Sequence, residues 1–211
     1  FTGGRIVAFL ATAGCAILIY FILRREGTRK SFSVLAALLF ICMPYVREWG
    51  VMANVDMAGT FLDLAAFTAW WYYAASDQRS QKLFVGGMIL STAAFFTKSS
   101  MIAAPAAFFC FLVCQKQFKK AFLLFFFQAA AAGFIYGLLN WATQGAYFFH
   151  TAYEISRRSF FYTFIFRFWG STLIQAPLLA AGGIFALWIG ARPGRSGRQL
   201  FFSLYILFVL F

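Results

Sequence analysis

Long unbroken apolar runs, separated by short loops where basic residues collect, constrain this chain more than any other feature. A helix needs roughly 20 apolar residues to cross the ~30 Å hydrocarbon core of a bilayer. That core offers the backbone no partners, so spanning segments must be helices or closed barrels. Barrel strands read as short alternating segments, and these runs are long and continuous. The fold expected is therefore an all-α polytopic transmembrane helical bundle. Composition agrees. Of 211 residues, 63% are hydrophobic and 11% charged, against about 25% charged in a soluble domain. Such hydrophobicity also excludes intrinsic disorder. The 31 Phe, 9 Tyr and 6 Trp suit lipid-facing helices and interfacial belts.

The formal net charge of +12 raises the question of nucleic acid, and the placement of the charges answers it. Arg24, Arg25, Glu26, Arg29 and Lys30 form one loop; Asp77, Arg79 and Lys82 a second; Lys116, Lys119 and Lys120 a third; Arg192, Arg195 and Arg198 a fourth. These loops hold 12 of the 18 basic residues and 2 of the 6 acids. Arg5, Arg47, Lys98, Arg157, Arg158 and Arg167 fall in the alternate connections, with Glu48, Asp56, Asp63 and Glu154. The alternation reads as membrane topology, with the basic set cytoplasmic and no nucleic-acid partner.

This ruler gives eight helices. Residues 4–23 run inward, 32–49 outward, 57–75 inward, 83–97 outward, 100–114 inward and 121–142 outward. Residues 143–165 form an external interfacial segment, 166–190 return, and 199–211 begin a last helix. Trp70, Trp71, Tyr72 and Tyr73 are expected at the inner interface, and Pro44 near an outer helix end. The whole 1–211 stretch reads as a single transmembrane domain. Because the chain starts at Phe1 without a signal peptide, and its last run spans only about 12 residues against the ~20 required, we expect it to be part of a longer protein.

Cys15, Cys42, Cys110 and Cys114 all lie in apolar stretches and read as buried, inert thiols. The single histidine, His150, is distant from them, which argues against zinc or haem. No P-loop, HExxH or GxSxG occurs. No metal site is assigned and no particular cofactor is identified, with a divalent cation left open. Gly133 and Gly137 are spaced to let two helix backbones approach.

Ionic groups within spanning segments are costly, about 2.5–3.5 kcal/mol at a helix centre on insertion scales, so each needs a reason. Asp56 and Asp63 are nearly two turns apart and project from one face of their helix. Asp56 is read either as a helix cap or as a carboxylate lining a polar site near the outer surface. Asp63 is read either as paired with a neighbouring helix or as part of that site. Helices 83–97 and 100–114 are short and meet at the polar Thr97-Lys98-Ser99-Ser100. Either they border a cavity open outward, or the bilayer thins and Lys98 snorkels. Arg47, Lys98 and Arg5 map to one side and together would suit a phosphate. His150, Glu154, Arg157 and Arg158 lie in the external segment, as interfacial anchors or as contacts to a lipid head group.

Three elements carry a family resemblance: Gly4-Arg5-Ile6-Val7 with its helix and Leu23-Arg24-Arg25; Ala36 to Pro44, Arg47 and Ala53-Asn54-Val55-Asp56-Met57; and Ala94-Phe95-Phe96-Thr97-Lys98 leading to Ala104-Pro105. In this order they resemble the core of C-type (GT-C) membrane glycosyltransferases over residues 4–115. The similar branch is protein-mannosyltransferase-like and includes bacterial aminoarabinose transferases. The resemblance implies transfer of a sugar from a polyprenyl-phosphate carrier to an acceptor lipid, glycan or protein, with inversion, at the periplasmic or outer face. It makes Lys98 and Arg47, and less directly Arg5, donor-phosphate residues, and Asp56 the candidate catalytic carboxylate, either on the acceptor side or supporting the groups that touch the substrate. The family's principal catalytic acid sits in the first external loop, which is expected upstream of Phe1. A bacterial plasma membrane is the expected location, with membrane lipids as neighbours. Two other readings stand beside this one: a transporter or flippase for a lipid-linked saccharide, and a non-catalytic membrane assembly subunit.

Overall fold

The computed structural model describes residues 2–52, 55–75, 80–98, 100–153 and 197–210, with the separate helical positions 181, 184 and 188. Every regular element among them is helical. In chain order they are α1 (Thr2–Arg25), α2 (Lys30–Cys42), α3 (Pro44–Trp49), α4 (Val55–Ala75), α5 (Gln81–Thr97), α6 (Ala103–Cys114) and α7 (Phe118–Ala142). A short α8 (Ala146–Phe148) continues into a π-helical turn, Phe149–Tyr153, and α9 covers Gly197–Leu210. The return helix expected at 166–190 lies almost wholly outside the described residues.

Helices α1 and α7 are long and apolar enough to cross a membrane. Almost none of α7 is buried. Phe122, Phe126 and Phe134 stand exposed, and Trp141 near its C-terminal end is 82% exposed. Soluble monomers rarely show apolar patches of this extent, and in a bilayer such a face meets acyl chains, with Trp at the interface. The chain is an all-α membrane bundle.

Two helix ends differ from the expectation. The run 32–49 is not one helix: Met43 takes φ −56° and ψ 131°, so α2 stops and α3 restarts at Pro44. Proline drives its preceding residue out of the α region, and Met43 obeys. Lys119 and Lys120, expected in a loop, belong to the first turn of α7. Lys120 there donates to the Tyr73 hydroxyl and lies 5.1 Å from that ring's centroid.

Helix α4 is the hub, packing against α1, α3, α5, α6 and α9. Its aromatic end turns into the bundle. Trp70, Trp71 and Tyr73 are buried core residues, and only Tyr72 is partly exposed, beneath Arg25 at 5.2 Å. The expected interfacial belt is thus mostly core, because α5 and α6 cover that face of α4. Trp70 stacks on Phe108 with ring centroids 4.5 Å apart and donates from Nε1 to the Phe84 carbonyl at 3.1 Å. Gly87 makes this possible, since a Cβ there would sit 2.3 Å from Trp70 Nε1.

At the opposite end of the bundle a smaller cluster joins Ala8 and Ala11 of α1, Val46 of α3 and Met57 of α4. Gly50 lies against it: a Cβ there would meet Thr12 Oγ1 at 2.7 Å. Between α5 and α7, Gln128 donates to the Met88 carbonyl and Ser91 and accepts from Thr92 at 3.0 Å. An added Cβ at Gly133 or Gly137 meets nothing within 4 Å, so the described residues make no close approach there. All four cysteines are free, yet only Cys15 is buried; Cys42 and Cys114 are exposed and Cys110 is half-buried. Their apolar runs point outward at those positions, which corrects the expectation of four buried thiols.

Candidate functional site

The site grows from the interruption between α5 and α6. Helix α5 ends at Thr97, and Lys98 is extended at φ −155° and ψ 120° while its N–H still closes on the Ala94 carbonyl. Met101 N–H donates to the Lys98 carbonyl at 2.9 Å and Ile102 N–H to the Ser100 carbonyl at 3.0 Å. Helix α6 then starts at Ala103 with Pro105 in its first turn, where proline removes a donor that has no intrahelical partner. Its 12 residues cover about 18 Å at 1.5 Å per residue, well short of the ~30 Å hydrocarbon core.

Helix α4 backs this interruption. In its first turn Asp56 accepts from the Lys98 ammonium as an ion pair. The Lys98 side chain is 42% exposed and that of Asp56 16%, so the carboxylate is mostly covered while the cation stays open. One turn on, Gly59 lets the loop close in: a Cβ there would lie 3.1 Å from Met101 Cγ and 3.6 Å from Lys98 Cβ. A further turn on, Asp63 is 3% exposed. Its Oδ1 accepts from the Ala104 N–H at 3.2 Å and its Oδ2 from the Tyr205 hydroxyl at 3.0 Å. Asp63 therefore caps α6 from another helix, satisfying a first-turn donor and opposing the positive end of the helix dipole. Both carboxylates share one face of α4, as their spacing requires, and Asp63 pairs with neighbouring helices.

Arg47 is exposed on α3 and Arg5 is exposed in the first turns of α1. The cluster of Ala8, Val46 and Met57 puts both at the same end of the bundle as Asp56 and Lys98. Neither arginine forms an ion pair with a described residue. His150 is exposed in the π-helical turn, its ring edge-on to Phe149 at 5.5 Å. Before it, Asn140 Oδ1 and Thr143 Oγ1 accept from the Phe148 and Tyr147 N–H groups. Glu154, Arg157 and Arg158 lie outside the described residues. Among the described residues, no three His, Cys, Asp or Glu side chains gather as a metal-binding group.

The sequence pattern of the dolichyl-phosphate-mannose-protein mannosyltransferase family matches residues 1–143. The chain belongs to that family. It is accordingly a membrane chain of the glycosyltransferase class, of the C-type, mannosyltransferase-like kind. The match reaches past residue 115, where the sequence resemblance ended, and takes in all of α1 to α7, including Arg5, Arg47, Asp56 and Lys98. No curated protein and no solved structure matches the chain.

Tyr205 and Gln128 escaped sequence reasoning. Gln128 was detectable as an amide in the middle of the apolar run 118–142, since a polar group in such a run needs a partner. Tyr205 carries no comparable signal among so many aromatics.

Proposed function

We propose that this mannosyltransferase-family chain transfers a sugar from a polyprenyl-phosphate carrier to an acceptor hydroxyl or amine, at the outer face of a bacterial plasma membrane. In that reaction the acceptor heteroatom bonds to the anomeric carbon as the bond from that carbon to the phosphate oxygen breaks. The acceptor's proton passes to a base, and polyprenyl phosphate leaves carrying the extra negative charge. The anomeric centre inverts.

The observation that carries this reading is the Asp56–Lys98 pair at the α5–α6 interruption. Negative charge develops on the leaving phosphate, and a preplaced cation in a low-dielectric setting lowers the barrier most where that charge appears. Lys98 presents an open ammonium there, and Asp56 orients it from behind. Arg47 and Arg5, at the same end of the bundle, add donor forks suited to phosphate oxygens. A lipid-borne donor reaches such a group from within the membrane, so a polar hollow below the outer surface serves it better than an aqueous pocket. The uneven split of basic residues, 12 in one set of loops and 6 in the other, supports this end as the outer one.

The test is transfer of a radiolabelled sugar from polyprenyl phosphate by the full-length protein in proteoliposomes. Lys98→Ala and Asp56→Asn are expected to lower kcat/KM by about 10²–10³ while leaving the helix content unchanged. Undiminished transfer in both variants removes the assignment.

A further inference from the structure

We propose that Asp63 and Tyr205 are positioning residues for Lys98, acting through the start of α6. The proposal rests on the reading of Lys98 as the donor-phosphate group, and extends it to a residue beyond the family-matched span of 1–143.

Four observations carry it. The loop between α5 and α6 has both edges tied to one helix: Lys98 to Asp56, and Ala104 to Asp63. The two anchors are seven residues apart on α4, about 10 Å along a helix, so a rigid ruler sets the span of the loop. Gly59, midway between them, leaves the space into which Met101 of that loop packs, since a Cβ there would lie 3.1 Å from Met101 Cγ. Asp63 itself is clamped on its second oxygen by Tyr205 of α9, whose ring stacks on Phe67, one turn further along α4, with centroids 4.1 Å apart.

A carboxylate this deeply buried is costly unless its oxygens are satisfied, and here one bond goes to each. Removing Tyr205's hydroxyl leaves Oδ2 short of a donor, and the carboxylate then turns or recruits water. Removing the carboxylate leaves the Ala104 N–H without its acceptor, which in a membrane costs enough to shift the first turn of α6. That turn begins five residues after Lys98, so the ammonium shifts with it. Displacement of a binding group by about 1 Å can lower turnover by ~10². Helix α9 is thereby coupled to the donor site without touching it.

The experiment uses full-length protein carrying Tyr205→Phe, Asp63→Ala, Asp63→Asn or Lys98→Ala. KM and kcat for the polyprenyl-phosphate sugar are measured on folded protein. In parallel, Ser100→Cys is labelled with a membrane-impermeant maleimide after Cys15, Cys42, Cys110, Cys114 and every other cysteine of the full-length protein are replaced by alanine. Tyr205→Phe and Asp63→Ala are expected to lower kcat/KM by about tenfold or more and to speed labelling at position 100. Asp63→Asn, whose amide oxygen still accepts from Ala104, is expected to restore both. A purely packing role would lower the melting temperature and leave kcat/KM and labelling unchanged in Tyr205→Phe, and that result overturns the proposal. Faster labelling with unchanged kcat/KM, where Lys98→Ala itself lowers kcat/KM, overturns it as well. Full activity of Lys98→Ala refutes the donor-phosphate reading instead, and the labelling arm identifies that case separately.

Discussion

Asp56 and Asp63, two turns apart on α4, hold opposite edges of the interruption between α5 and α6: one takes the Lys98 ammonium, the other the Ala104 amide. A single helix thus governs the shape of a polar loop that no regular ladder supports. The same helix carries the largest part of the aromatic core, so its position is fixed by Trp70, Trp71 and Tyr73 at the other end.

Exchanging the charges of the pair separates structure from chemistry. In Asp56→Lys combined with Lys98→Asp, an ion pair can re-form with the cation on α4. The melting temperature is expected to recover relative to either single variant, while transfer stays lost because the cation no longer faces the donor. Recovery of transfer in the double variant contradicts a phosphate role for Lys98.

Gly87 and Trp70 are coupled sterically. Gly87→Ala places a methyl 2.3 Å from Trp70 Nε1, and overpacking of this kind costs about 1–3 kcal/mol. Unfolding measured in bicelles should show that loss in the wild-type background and much less of it beside Trp70→Phe. Simple additivity of the two changes contradicts the contact.

The Gln128 clamp joins α5 and α7 through Met88, Ser91 and Thr92. Interhelical hydrogen bonds in bilayers average about 0.6 kcal/mol with a maximum near 1.7. Gln128→Leu is therefore expected to destabilise by ~1 kcal/mol and to leave KM for the donor unchanged, as read by unfolding and kinetics on the same preparation.

Topology is testable without activity. Cysteines introduced at Thr28 and Gln117, in turns rich in Arg and Lys, should react with an impermeant maleimide only after the membrane is opened. One at Gln144, in the turn after α7, should react in intact cells. The reverse pattern inverts the orientation and moves the Lys98 end to the cytoplasm.

Much of this was legible in the sequence, for reasons that differ by element. Helix α5 ends at Thr97 as read, and α4 starts two residues before the expected 57, because apolar runs and charged loops report where a chain enters and leaves lipid. The same-face placement of Asp56 and Asp63 follows from helical periodicity alone. Two signals were present in the sequence: Pro44, which drives Met43 out of the helical region so that α2 ends at Cys42, and the amphipathic Lys120, whose long stem belongs to a helix start. The partners were not legible. Asp63 and Tyr205 are 142 positions apart and Gln128 and Ser91 are 37 apart, and periodicity along one helix carries no information about which other helix it meets. The turn of Trp70 and Trp71 into the core was hidden for the same reason, since a ring at a helix end suits either protein or interface.

The most direct measurement is equilibrium binding of radiolabelled polyprenyl phosphate, without sugar, to the full-length protein in nanodiscs. Lys98→Ala is expected to raise Kd by about tenfold or more, equivalent to ~1.4 kcal/mol, with Asp56→Asn intermediate between it and wild type. Equal Kd values for wild type and Lys98→Ala, both folded, contradict the assignment of this loop as the place where the donor's phosphate is held.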